Sequence, residues 1–224
     1  MKMSRAETAR RFILFICGLF FTAIGVAFTK HGELGVSPIS SVANVLSSKY
    51  VFFSMGTWLI IWNCVLILGQ IVILRKRFQI FQLLQVPLSF LFGWFTDFGM
   101  WLVSGIPVPN YLTQIAMVLI GIAILGFGIA LSVVANVILN SGEAFVKAVS
   151  DTFHLDFGNV KVVFDVSCVL IALVLSLLLF DFSVVGIREG TVISALLAGV
   201  VVKRVSKVVR APLERVLSDS PQKA

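Results

Sequence analysis

Charge is scarce in this sequence. Only 13% of its 224 residues are Asp, Glu, Lys or Arg, about half of the ~25% that a water-soluble domain carries, and 58% are hydrophobic. The mean hydropathy of +1.03 excludes a chain coated for water on all sides. Histidine occurs twice and cysteine three times. His31 and His154 lack ligand partners one helical turn away, and Cys17, Cys64 and Cys168 stand in apolar runs without close spacing. The cysteines therefore read as small buried hydrophobes, and neither metal site, redox pair nor cofactor is expected. A paired His-Glu zinc motif, a Gly-x-Ser-x-Gly elbow and paired acids at adjacent depth are also missing, which argues against an intramembrane enzyme.

What is present is a set of long apolar runs. A hydrocarbon core about 30 Å thick needs about 20 mostly apolar residues per helix. Six stretches are expected to serve, at 12–30, 56–74, 82–104, 112–136, 159–180 and 188–203, the last being the shortest. The first is read as a retained span, because Phe12 to Phe28 is too long for a cleaved signal and no small-residue cleavage pattern follows.

The net charge of +7 does not indicate nucleic acid, since the basic residues gather where membrane orientation needs them. Lys2, Arg5, Arg10 and Arg11 precede the first span; Arg75, Lys76 and Arg77 follow the second; Lys203, Arg204, Lys207, Arg210, Arg215 and Lys223 follow the sixth. Six spans put all three clusters on one side, leaving Lys30, Lys49 and Arg188 opposite. The positive-inside rule then places both termini in the cytoplasm. The expectation is one membrane domain over 1–224, with a cytoplasmic N-terminus at 1–11 and a partly disordered cytoplasmic tail at 204–224 that holds Pro212 and Pro221.

A self-similarity runs through the chain at an offset of about 103 residues. Gly18 and Gly25 recur as Gly121 and Gly128. Ser40 through Ser47 then aligns with Glu143 through Ser150, Tyr50 falls on Phe153, and after a one-residue slip Gly56 matches Gly158 and Asn63 matches Asp165. The repeats are 12–104 and 112–203. Each holds three spans, an odd number, so the second copy enters the membrane inverted, an arrangement found in many secondary transporters and also in channels. The expected fold class is an all-α polytopic membrane protein with six transmembrane helices in two inverted three-helix repeats.

Each repeat also carries a short polar segment. Ser37 precedes Pro38 as an N-cap precedes a helix start, over 37–48, and Asn140-Ser141-Gly142-Glu143 opens its counterpart over 140–153. Helices of this length cannot span, and they either dip inward as re-entrant half-helices or lie flat at the interface. Re-entrant N-termini, with free N–H groups and partial positive charge, would frame a polar solute through Ser37, Ser40, Asn140 and Ser141, with Glu143 biasing the inner end against anions.

Ionisable and amide groups at membrane depth cost about 2.5–3.5 kcal/mol when charged and call for a reason. Asp165 is either a solute, ion or proton contact or a packing hydrogen bond to Ser167 or Asn63. Asn63 is its repeat mate, and the two are expected to approach a common region. Asp97 is a secondary candidate with a mainly structural reading. Gln70 and Gln85 are further amides at depth, and Lys161 is expected to snorkel to the inner face.

The stretch Gly35-Val36-Ser37-Pro38-Ile39-Ser40, the Ser54-Met55-Gly56 that opens the second span, and the run from Arg188-Glu189-Gly190-Thr191 through Gly199 together resemble the bacterial YczE/YyaS/YitT membrane-protein family. The similarity extends over about 12–205. Relatives carry an aromatic residue and an acid after the proline, where this chain has Ile39 and Ser40. The resemblance implies a multi-pass protein of the bacterial inner membrane with proposed transport roles and no named substrate. The leading expectation is a small-solute transporter or permease-like protein whose partners are the lipid bilayer and an unidentified solute, with homo-oligomerisation left open. The alternative is a non-transporting membrane subunit, such as the substrate-binding component of a vitamin uptake system.

Overall fold

The computed structural model describes residues 4–217; Lys2, Pro221 and Lys223, which entered the charge and tail expectations, lie outside the described residues. The chain is 82% helical, with no strand among the described residues. Among the described residues eight α-helices run in the order α1 (Arg5–His31), α2 (Pro38–Lys49), α3 (Met55–Leu74), α4 (Gln85–Val103), α5 (Tyr111–Ala135), α6 (Ser141–Phe153), α7 (Phe157–Leu179) and α8 (Glu189–Leu217). Short 3-10 turns at Arg75–Arg77 and Ile80–Leu84 join α3 to α4.

Five of these helices, α1, α3, α4, α5 and α7, are long and apolar enough to cross a bilayer. Their outward faces carry Ile13, Leu68, Trp94 and Leu178, all strongly exposed, which hydrocarbon accommodates and water does not. Helix α8 differs from the expected sixth span. It begins at the expected place but continues through the basic residues to Leu217, so 204–217 is helix and not irregular tail, with Pro212 inside it. Its apolar part, Gly190 to Val202, is bracketed by Arg188-Glu189 and Lys203-Arg204, which keeps it outside the group of five. The expected N-terminal tail likewise becomes helix from Arg5 onward.

Local sequence explains the ends. Ser4, Ser54, Asn110 and Asp156 stand at the N-caps of α1, α3, α5 and α7, and each side chain accepts the backbone N–H three residues on, replacing a bond that the helix cannot supply. Asn136 and His154 close α5 and α6 in the left-handed conformation. Pro107 and Pro109 sit in the irregular turn between α4 and α5 and forbid its helical continuation.

The centre of the molecule is the pairing of α1 with α5, flanked by α4 against α1 and by α8 against α5. Glycines allow the central contact. A Cβ on Gly18 would strike the Gly128 carbonyl, and one on Gly25 would strike the backbone at Leu125 and Gly121. The glycines that correspond by the sequence offset, Gly18 with Gly121 and Gly25 with Gly128, thus meet crosswise, as an antiparallel pair requires. Thr22 and Thr29, buried beside them, turn their hydroxyls back to the carbonyls of Gly18 and Val26, so this close approach leaves no hydroxyl unsatisfied. The short helices pack across the halves: α2 lies on α7 and α6 lies on α3.

Two sequence segments far apart in the chain come together at one end. Gly190 N–H donates to the Leu34 carbonyl (2.8 Å), Gly35 bridges to Ile187, and Asn44 Nδ2 donates to the Gly186 carbonyl (2.6 Å). Gly35 has φ +104°, a region open to glycine, and a Cβ there would run into Thr191. The Gly35–Ser40 and Arg188–Gly199 stretches therefore form one structural joint.

Candidate internal cavity

The N-termini of α2 and α6 converge from the two halves. Ile39 lies against Gly142, where a Cβ would collide with it, and both residues border one internal cavity of about 490 Å³, a size in the ordinary range for small-molecule sites. Its walls come from α1, α3, α4, α5, α7 and α8 together with the two short helices. Phe15, Leu88 and Phe92 give it an apolar body.

Of the residues singled out from the sequence, Ser37, Ser40, Asn63, Asn140, Ser141, Glu143 and Asp165 all line this cavity. Asp97 does not. Its carboxylate accepts the Ser54 hydroxyl (2.6 Å) and the Gly56 N–H (2.8 Å), so it fastens α4 to the start of α3.

The short-helix ends differ from those of the capped spans. Neither Ser37 nor Asn140 caps its helix through the side chain; Ser37 donates instead to the Ser40 hydroxyl (3.1 Å). First-turn N–H groups of α2 are thereby left without a side-chain cap at the cavity wall, where partial positive charge accumulates, while at α6 the Glu143 carboxylate accepts from its own backbone N–H. Asn63 has no hydrogen-bond partner among the described residues. Ser194 of α8, also a lining residue, is fully buried with its hydroxyl unpartnered.

Lys161 departs from the snorkelling expectation. It lines the cavity and donates to Asp165 Oδ1 at 2.7 Å, one turn along α7. Asp165 consequently bonds neither Ser167, whose hydroxyl goes to the Val163 carbonyl, nor Asn63. Glu143, in the short α6, is the third charged group facing this space; burial pushes its carboxyl above the ordinary range, with Lys161 opposing and Asp165 adding to the rise.

Gln70 and Gln85 form a reciprocal amide pair. Each Nε2 donates to the other's Oε1 at 3.1 Å, and Gln70 Nε2 also donates to the Ser141 carbonyl (3.1 Å). The Ser89 and Ser141 hydroxyls approach to 3.3 Å. This polar knot ties α3 and α4 to the start of α6 and hence fixes the inner wall of the cavity. Sequence reading placed the two glutamines at depth but did not pair them, and it passed over Ser89, Lys161 and Ser194 as site residues. The i, i+4 spacing of Lys161 and Asp165 was the available signal.

The cysteine expectation also changes: Cys168 is buried, but Cys17 is exposed and Cys64 half-buried, both on spanning helices. Among the described residues no cluster of three or more His, Cys, Asp or Glu could hold a metal ion.

A helical membrane protein with an internal, partly polar cavity is thus the class that fold and site define. The chain belongs to a family of unknown function, DUF6198, whose model matches residues 9–207. Neither the curated proteins nor the solved structures hold a match to it.

Proposed function

We propose that this protein is a small-solute transporter whose binding site is the cavity between α2 and α6. The observation that carries the proposal is the convergence of two short-helix N-termini, one from each half and neither capped by its N-cap side chain, on a single cavity with Asn63 and the Lys161–Asp165 pair in its wall. Broken or half-length helices that present their N-termini to a midplane site are a recurring device of secondary transporters.

An architecture of six spans in two inverted repeats, with α8 as the sixth, underlies this reading. It is supported by the crosswise glycine contacts of α1 and α5, by the contact of the repeat mates Ile39 and Gly142, and by the parallel roles of α4 on α1 and α8 on α5. The apolar part of α8 reaches about 20 Å at 1.5 Å per residue, and Lys203, Arg204 and Lys207 complete the crossing by extending their charged ends to the interface. Both termini then face the cytoplasm. The resemblance of the Gly35–Ser40 and Arg188–Gly199 stretches to the YczE/YyaS/YitT group favours a bacterial inner membrane.

The test is ligand-dependent stabilisation of the purified protein against metabolite pools, followed by uptake of the hit into proteoliposomes holding this chain alone. A ligand at about 100 times its Kd stabilises by about 2.7 kcal/mol. Asp165→Asn is expected to weaken binding at least about tenfold, or about 1.4 kcal/mol, with folded yield retained. Binding without uptake would return the reading to a substrate-binding subunit, and binding that ignores Asp165→Asn would remove the cavity as the site.

A further inference from the structure

The cavity is not closed equally on its sides. Phe157 and Val162 of α7 and Ala195 and Gly199 of α8 line it and are at the same time exposed on the outside of the molecule. These two helices do not pack closely on one another, whereas α3 and α4 do. A Cβ on Gly199 would meet nothing within 4 Å, and one on Gly158 would meet only Asp156 of the preceding turn. The gap between α7 and α8 is therefore a mouth of the cavity.

The rim has a chemistry. Phe157, Val162, Ala195, Gly199 and Val202 carry no polar side-chain atom, and they belong to the apolar stretches of helices that face lipid. An ion or sugar crossing such a rim loses its hydration without replacement, while a hydrocarbon chain crosses it without cost. The interior is different: α2 and α6 present their N-termini, Asn63 offers its amide, and the Ser194 hydroxyl is buried without a partner. Three charged groups, Glu143, Lys161 and Asp165, face the space, and Lys161 is already paired with Asp165. A hydrogen-bonding interior with no cation left free, behind an apolar mouth, fits a molecule with an uncharged polar head and an apolar tail.

We infer that the cavity exchanges its ligand with the bilayer through the α7–α8 gap, and that the ligand is a single-chain amphiphile with an uncharged, hydrogen-bonding head of the ester or polyol kind. This rests on the cavity being the solute site and names the class of solute.

The experiment uses the full chain in lipid nanodiscs with two photoactivatable probes, a diazirine-bearing long-chain monoacylglycerol and a diazirine-bearing long-chain fatty acid. Labelled residues are mapped by mass spectrometry. Labelling of α7 and α8 beside Val162, Ala195 and Gly199 by the monoacylglycerol is expected, and stronger labelling by the fatty acid would overturn the uncharged head. Gly199→Phe fills the gap where there is room for a side chain and should reduce labelling at least about tenfold, or about 1.4 kcal/mol in apparent affinity. Leu196→Phe, on the outward face of the same helix, should not. Glycerol and its monobutyrate ester, which carry the head with little or no tail, should compete poorly.

The inference is overturned if either of these displaces the probe as well as the long-chain compound does, or if Gly199→Phe leaves labelling unchanged. It is equally overturned if the gap proves to be covered by a second copy, seen as a dimer that Gly199→Phe dissociates. Should a water-soluble solute be transported while both probes fail to label the gap, the lateral route falls and the transporter reading stands. Loss of every cavity ligand would remove both.

Discussion

The offset of about 103 residues sets the α3–α4 seam against the α7–α8 seam, and the two are built in opposite ways. At the first, Gly56 and Gly93 bring the helix backbones so close that a Cβ on either would strike the other's carbonyl. Asp97 then fastens one end through Ser54 and Gly56, and the Gln70–Gln85 pair fastens the other. At the second, Gly199 stands in open space, Gly158 is close only to Asp156 of its own helix start, Asp156 is spent on capping that helix, and no hydrogen bond joins α7 to α8 among the described residues. Similar apolar helices thus make a sealed wall in one place and a slot in the other, and the difference lies in a few glycines and polar groups, not in hydrophobicity.

Four measurements would break or sharpen that contrast. Glycine replacement should separate the seams most strongly. Gly56→Ala forces backbone and carboxylate apart and should destabilise by about 1–3 kcal/mol, as overpacking does. Gly199→Ala should be neutral or gain up to about 1 kcal/mol from helix propensity. Unfolding of each variant in mixed micelles reads both, and equal losses would show that the α7–α8 seam is closed in the folded protein. Next in size is the clamp: Asp97→Ala removes two hydrogen bonds to a carboxylate and should cost about 2 kcal/mol, with increased cysteine-reagent access along α3 as the structural readout.

The amide knot should give a smaller and non-additive effect. A double-mutant cycle with Gln70→Leu and Gln85→Leu is expected to show a coupling of about 1 kcal/mol, because each single change leaves the other amide buried without its partner. Smallest is a pH effect at Glu143. Its folded carboxyl titrates above the ordinary glutamate range, so its protonated form favours folding. That contribution is complete below the unfolded pKa and is lost as pH rises through the raised folded value. The wild-type denaturation midpoint should fall over that window, and Glu143→Gln should flatten the profile.

The helices were legible because hydrophobic length is a property of sequence alone. So were the starts of α2 and α6, announced by Pro38 and by Asn140-Ser141, and the shared cavity wall of Ser37, Asn63, Glu143 and Asp165, which were singled out by aligning the two halves of the sequence. The extension of α8 was not, because a run such as Lys203-Arg204 followed by Lys207 and Arg210 reads equally as a tail or as an amphipathic helix; its contact with α5 decides. Lys161 was misplaced for a related reason. Snorkelling and an i, i+4 ion pair are both open to a lysine near a helix start, and only the cavity beside Asp165 selects between them. The pairing of Gln70 with Gln85 and the open state of the α7–α8 seam depend on which faces meet, and no periodicity encodes that.

The crosswise glycine contact has a consequence for how the chain is made. Synthesis proceeds from the N-terminus, so α1 reaches the membrane about a hundred residues before α5 exists. Until then the grooves at Gly18 and Gly25 have no backbone to receive, and lipid tails must fill them. An N-terminal fragment ending before Tyr111 would keep α4 beside α1 but lack the helix against which α1 is shaped, and would be open to membrane proteases. Severed between α4 and α5 and produced as two pieces in one cell, the halves should rescue each other, since the surface each one lacks is carried by its counterpart.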